Sequence, residues 1–342
     1  MQDTINAAYF KPTTPDPVIW NDWYAVARSQ DLQPGVLMPV RLLETDLVLW
    51  RSEENQLCAW EDRCPHRSVR LSQGQIVNDT VICSYHGLVY NTEGRCIKAP
   101  AHPNYRPPKQ ACVRAYSVQE QYGLVFVCLG EPQQPIPNFL EWDDPNYRRF
   151  STGPHFCQSN GYRAIENFLD VAHFSFVHYG ILGDPDKPEV GDYEVTTTDQ
   201  GVWLHDIRYW QPDPDGTGNG AIVTYDYWAL RPLVACLRKT MPNGHHLNIL
   251  YFVTPINEES FVGWMCLTFD FADAINEAEA TAFQEKVFAQ DGTNLESHYP
   301  KRLPLDGNLE FHLPCDRGSL AYRQWLKKLG VTYGTLPKIS LL

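Results

Sequence analysis

No apolar run in this 342-residue chain reaches the roughly 18 residues a helix needs to cross a bilayer, so an integral membrane protein is not expected. The first twenty residues, MQDTINAAYFKPTTPDPVIW, lack a basic segment followed by an apolar one, which argues against a secretory leader and for the cytoplasm. Nor is there a cluster of Lys and Arg. The formal charge is −13, whereas a polyanion partner calls for a basic stripe, so nucleic acid is not expected as a ligand. No Gly-rich dinucleotide fingerprint follows a strand-like run, since the Gly-x-Gly at Gly216 and Gly218 lies in a Pro/Asp loop. A four-cysteine ferredoxin pattern, an internal repeat and a long low-complexity segment are absent too.

Ten cysteines are present. In a reducing compartment clustered Cys and His read as metal ligands rather than crosslinks. Cys58, Cys128, Cys236 and Cys266 sit among apolar or aromatic neighbours and read as core thiols. The length suggests two domains. From Trp20 to about Gly130 short aromatic and β-branched runs, WYAVARS, LVLWRS, LCAWEDR, VICSYHGLVYN and YGLVFVCLG, are punctuated by Gly, Asn and Asp, as in an all-β unit. The Pro-rich passage at 130–147 is a plausible boundary. Beyond it, 162–180 opens with helical spacing, Ile165, Leu169 and Ala172 sharing a stripe. Long β runs follow, IVTYDYWAL, HLNILYFVTPI and FVGWMCLTFDF, and then helical patterns over 276–300 and 317–330. The fold class is α+β.

Two constellations carry chemistry. In CPHRSVRLSQGQIVNDTVICSYHGLVY, Cys64-x-His66 and Cys83-x-x-His86 are separated by sixteen residues. Two thiolates and two imidazoles suit a tetrahedral zinc ion, or an iron–sulfur cluster in which two histidines hold one iron. Zinc fingers pair like ligand with like, whereas each loop here supplies one of each, which favours the cluster. In IENFLDVAHFSFVH, Asn167, Asp170 and His173 are three apart and would share a helical face, with His178 five residues on. Five residues turn a helix by about 500°, so the two histidines converge only if the helix ends or bulges between them. With a carboxylate they would complete a 2-His-1-carboxylate site for ferrous iron.

CPHR and CSYHGLVYN resemble the Rieske motif pair. Val69 and Tyr85 stand where the Rieske proteins of electron-transport complexes carry a bridging disulfide, so the likeness is to the oxygenases and their ferredoxins. IENFLDVAHFSFVH resembles the signature of the Rieske non-haem iron oxygenases, and the resemblance runs from WNDWYAVARSQDLQPG to DRGSLAYRQWLKKLGVTYG. FAQDGTNLESHYP resembles purine N-demethylases, and the C-terminal wording resembles cyanobacterial hydroxylases, including those of saxitoxin biosynthesis. The resemblance implies an arm (1–17), an all-β Rieske [2Fe-2S] domain (18–135) with Cys64, His66, Cys83 and His86 as ligands, and a helix-grip catalytic domain (136–342), an antiparallel sheet with helices. It implies mononuclear Fe(II) on His173, His178 and Asp291, Asp170 as a bridging carboxylate and Asn167 beside it. It further implies a head-to-tail homotrimer in which Asp170 meets a neighbour's His86. Electrons would come from a separate ferredoxin or NAD(P)H-dependent reductase. Asp291 shares its helix with Glu285 and Glu296.

The implied activity is monooxygenation with O2, hydroxylating or oxidatively demethylating a small cyclic substrate. A cis-dihydroxylating dioxygenase, a non-catalytic electron carrier and a zinc-stabilised binding module remain alternatives. The substrate pocket is expected between the sheet and the iron helix, with Trp228, Leu230 and Phe252 as candidate lining. His102, His155, His205, His245, His246, His298 and His312 are structural or substrate-adjacent.

Overall fold

The computed structural model describes residues 16–271, 276–306 and 309–336. The expected arm lies outside these residues except for its last two. Contacts divide the chain into Met1–Ile136 and Pro137–Leu342. Among the described residues no helix is long and apolar enough to cross a membrane.

The first unit is built of strands β1 (Tyr24–Arg28), β2 (Met38–Leu42), β3 (Thr45–Arg51), β4 (Leu57–Glu61), β5 (Gln75–Val77), β6 (Thr80–Ile82), β7 (Val89–Tyr90), β8 (Cys96–Lys98), β9 (Ala115–Gln121) and β10 (Leu124–Cys128). Six of them form an antiparallel sheet ordered β1-β10-β9-β4-β3-β2, and β5 to β8 form a small meander between β4 and β9. Trp50 of β3 and Trp60 of β4 meet edge to face, ring centres 5.1 Å apart, in one buried cluster with Leu71, Val81 and Tyr90. Cys64 and Cys83 belong to that cluster, so both stand on an apolar floor. The run 81–91, expected as one strand, is two. It breaks because Cys83–Leu88 folds back on itself, the Cys83 N–H donating to Leu88 O at 2.9 Å and the Gly87 N–H to Cys83 O at 3.0 Å.

The second unit contains β11 (Arg148–Cys157), α1 (Gly161–Leu169), the single turn α2 (Phe174–Val177), β12 (Glu194–Thr198), β13 (Gly201–Gln211), β14 (Ala221–Arg231), β15 (Val234–Thr240), β16 (His246–Asn257), β17 (Ser260–Phe269), α3 (Glu277–Ser297) and α4 (Arg317–Leu329). These seven strands run antiparallel in the order β11-β17-β16-β15-β14-β13-β12, and Leu303–Pro304 pairs in parallel with Thr335–Leu336 apart from them. Alternate residues of β14, Val223, Tyr225, Tyr227 and Ala229, are buried, the period of a strand with one covered face. β16 and β17 are buried on both faces over most of their length and are correspondingly rich in apolar residues, the buried Asn248 donating to Thr268 Oγ1 at 3.2 Å.

Helix α1 begins where the Asn160 side chain accepts the Tyr162 N–H at 2.9 Å. It ends at Leu169 because Asp170 turns extended (φ −101°, ψ 137°) and its carboxylate accepts the N–H groups of Ala172 at 2.9 Å and His173 at 3.2 Å. The single helical face expected for Asn167, Asp170 and His173 is therefore not formed: Asn167 lies on α1, Asp170 terminates it and His173 follows the break. Ala172 falls past the end of the stripe for the same reason. Helix α3 starts on a reciprocal cap, with Asn276 Oδ1 accepting the Glu279 N–H at 2.9 Å and Glu279 Oε2 accepting the Asn276 N–H at 3.1 Å.

Candidate metal centres and active-site cavity

The two Cys/His loops of the first unit fold alike. Cys64 N–H donates to Val69 O at 2.8 Å and receives Ser68 N–H at its own carbonyl at 2.9 Å, repeating the bonds at Cys83. Each loop turns through a left-handed residue, Ser68 (φ 57°) in one and Gly87 (φ 67°) in the other. The result places both thiols at the base, each 2% exposed, and both imidazoles at the exposed rim. Tyr90 Oη lies 3.1 Å from Cys64 Sγ, and His66 Nδ1 lies 3.1 Å from His86 Nδ1. Burial pushes the Cys83 thiol up, so its free thiolate is disfavoured on this floor unless a metal neutralises it. Two buried sulfurs and two converging ring nitrogens are the donor set a cluster with one Cys₂ iron and one His₂ iron requires.

In the second unit, α2 does what the spacing demanded. The chain ends α1, and His173 and His178 then flank a single helical turn as its two caps. The imidazoles stand 5.1 Å apart, centre to centre. Helix α3 presents Gln284, Phe288, Asp291 and Leu295 along one stripe toward them. One ligand atom each of His173, His178 and Asp291 falls within 4.8 Å of the others. Of the five acidic residues on this helix only Asp291 reaches the histidines: Glu277 and Glu279 lie in the first turn, where Glu279 caps Asn276, Glu285 is exposed and Glu296 accepts the Gln158 N–H at 2.9 Å.

Both rings are held from behind. His173 Nδ1 is 2.8 Å from Asp170 Oδ2, and His178 Nδ1 is 2.9 Å from Gln290 Oε1. Those oxygens only accept, so each ring, when neutral, carries its proton on Nδ1 and turns a bare Nε2 toward Asp291. The Nε2 atoms stand 3.4 and 3.1 Å from Asp291 Oδ1. The approach lacks hydrogen-bond geometry, and Oδ1 is buried without a partner. An acceptor facing two further acceptors fits a bound cation. Burial works to raise the Asp291 carboxyl, but the two imidazoles outweigh it and hold it well below the usual carboxylate range. Burial likewise opposes protonation of His173, yet Asp170 and Asp291 raise it to about 9, so a proton and a cation compete for the same Nε2 lone pair.

A cavity of about 650 Å³ opens on this cluster. Asn167, His173, His178 and Asp291 contribute to its wall, whereas Asp170 does not. The sheet lines it with the set containing Tyr225, Tyr227, Leu237, Ile249, Tyr251 and Met265. Trp228, Leu230 and Phe252 are not among the lining residues. Side chains alternate along a strand, and β14 and β16 present the opposite register. None of the seven remaining histidines lines the cavity; His155, for example, bonds Thr152 Oγ1 at 3.0 Å and stacks on Phe288. Gln290 was not legible in the sequence, although its place beside a carboxylate on the same helix was the available signal.

Residues 22–117 match the family described as Rieske [2Fe-2S] domain, and residues 158–332 match the vanillate O-demethylase oxygenase C-terminal domain. The chain is 30% identical to methylxanthine N1-demethylase NdmA of Pseudomonas putida over 316 residues, which cover 91% of this chain and 88% of that one. The solved structure of Pseudomonas putida CBB5 NdmA with caffeine superposes with a TM-score of 0.77 at 26% identity, covering 91% and 90% of the two chains. A second relative, oxidoreductase NdmD of Pseudomonas putida, is 36% identical over 118 residues, 34% of this chain and 20% of that one. The chain belongs to the Rieske oxygenases, with a catalytic half of the vanillate O-demethylase type.

Proposed function

We propose that this chain is the oxygenase component of a monooxygenase that removes a methyl group from, or hydroxylates, a small planar ring compound. The observation that carries the reading is the aromatic-walled cavity of about 650 Å³ opening directly on two histidines and a carboxylate whose free donor atoms converge. Cys64, Cys83, His66 and His86 would hold the cluster, and His173, His178 and Asp291 the mononuclear iron. Loaded, the cluster supplies electrons singly and the ferrous site supplies dioxygen activation.

The protein's own share is orientation and exclusion. Asp170 and Gln290 fix the ring tautomers, so that neither Nε2 spends its lone pair on a proton. His178, 1% exposed, and the wall built by Phe168, Tyr227 and Tyr251 keep bulk water from the reacting face. Tyr225 and Tyr227 stack at 5.6 Å with 21° between planes, a surface suited to a flat substrate. We assign Asn167, on the cavity wall beside His173, to contact with the reacting centre. One oxygen atom enters a C–H bond; the other leaves as water with two electrons and two protons. A methyl on nitrogen or oxygen so hydroxylated departs as formaldehyde.

A separate reductase provides the electrons. Asp170 keeps 29% of its side chain exposed while it binds His173, so an edge remains open for a second donor. We assign that edge to a neighbouring subunit's His86 in a closed homotrimer. The test combines composition with product. About three irons and two sulfides per chain, a Rieske-type resonance after dithionite reduction, and formaldehyde from N- or O-methylated ring compounds in the presence of a reductase are expected. Two irons and two sulfides after reconstitution, with no oxygen uptake, would sink the reading.

A further inference from the structure

The cavity wall is polar at one end. Across the sheet, Tyr225, Lys239, Leu247 and Phe269 form one rung, and Tyr227, Leu237, Ile249 and Leu267 the next, so the polar side chains gather on β13, β14 and β15, while Tyr251 is the one hydroxyl that β16 and β17 bring to the described wall. Gln211 is fully buried on this wall. Its Nε2 donates to Tyr225 Oη at 2.8 Å, while its Oε1 has no hydrogen-bond partner among the described residues. Tyr227 Oη, also on the wall and buried, has none either. Lys239 donates to Pro214 O at 2.8 Å and has no carboxylate within 4.0 Å among the described residues; burial pushes its ammonium down to about 8 against the pull of Asp215 and Asp213. Phe174 joins this end to the histidines: its ring centre is 5.8 Å from that of Tyr225 and 5.7 Å from that of His178.

A hydrocarbon filling this cavity would strand an acceptor and a hydroxyl and leave the ammonium with a single carbonyl, all of them unfavourable for buried polar groups. From this arrangement we propose that Gln211, Tyr227 and Lys239 form a recognition subsite for the amide edge of a cyclic substrate. The substrate's ring N–H donates to Gln211 Oε1, and its adjacent carbonyl accepts from Lys239 or Tyr227. The inference rests on the oxygenase reading and names the substrate class for the same cavity. A site built to pair a substrate donor discriminates strongly against the analogue that lacks it.

Equilibrium dialysis of the oxidised holoenzyme under argon tests this with 1-methyluracil, whose N–H lies between two carbonyls, and 1,3-dimethyluracil, in which that N–H is methylated. Wild type is expected to bind the first about tenfold or more tightly than the second. Gln211→Met should abolish the ratio, Gln211→Glu, which keeps an acceptor, should retain a preference, and Lys239→Met should weaken both ligands. Equal binding by the wild type, a preference for the dimethyl compound, no binding of either at millimolar concentration, or an unchanged ratio in Gln211→Met would overturn the proposal. The wild-type comparison stands even if a variant does not fold. Formaldehyde release from an O-methyl arene by an enzyme that ignores 1-methyluracil would sink this inference alone. Discriminated binding by a protein with no iron at His173, His178 and Asp291 would instead sink the oxygenase reading.

Discussion

His173 and His178 take their orienting bonds from chemically different partners, and the difference sets what each substitution should do. Replacing Gln290 by Leu leaves the Nδ1–H of a ring only 1% exposed without an acceptor. Loss of such a partner commonly lowers metal affinity 10- to 100-fold. Gln290→Leu should therefore weaken iron retention about 10- to 100-fold in a titration of iron into the stripped site, with cluster absorbance unchanged. Asp170→Asn keeps an oxygen near His173 Nδ1 but loses the charge, so both metals should be retained while turnover falls sharply; unchanged turnover would refute the bridging role. At this scale the sequence named the groups that bear charge or lone pairs in a recognisable spacing. It did not name Gln290 or Gln211, because a carboxamide has no distinctive chemistry until its oxygen is seen facing a ring nitrogen or an empty wall.

Helix α1 is anchored behind the site by a buried charge network. Arg323 on α4 grips Glu166 through two bonds, with Nη2 to Oε2 at 2.9 Å, and meets Glu310 at 2.6 Å, while Arg163 meets Glu310 at 2.7 Å. Arg323 and Glu166 are only 5% and 11% exposed in their side chains, so removing one leaves a buried charge uncompensated. Glu166→Leu should destabilise the protein by about 3–5 kcal/mol, seen as a lowered unfolding midpoint. Burial tends to raise the Glu310 carboxyl, but Arg163 and Arg323 outweigh it and hold it at about 2, below its ordinary 4.5. A depressed carboxyl contributes stability above its unfolded value and loses it as pH falls through the folded one. The wild type should therefore lose more stability than Glu310→Gln between about pH 4.5 and pH 2, in thermal melts compared at matched pH. The helices α3 and α4 were legible from spacing and end signals, to within a few residues. The end of α1 was not, because the residue that stops it, Asp170, is no worse a helix former than many interior residues until its carboxylate captures the N–H groups of Ala172 and His173.

For the whole molecule, the homotrimer reading separates the source of electrons from their destination. A chain carrying Asp291→Ala would keep its cluster but lose its mononuclear iron, and one carrying Cys83→Ala would do the reverse. Neither should turn over alone, while co-refolded mixtures should recover part of the activity in a species three times the 39.2 kDa chain mass by light scattering. Mixed assemblies of that mass without recovery would refute transfer between subunits. The sequence by itself determined the fold class and brought forward the candidate donors: β-branched and aromatic runs punctuated by turns form sheets wherever they collapse, and the Cys/His and His/His pairs are written in residue types and spacings, whereas Asp291 came only with the family resemblance. Tertiary structure alone decided which register of each strand faces the cavity, how the acid on α3 meets the histidines across the break after α1, and which uncharged side chains are left unpaired on the wall. Alternation offers two faces of equal merit, and only packing against α1 and α3 buries one of them around the site.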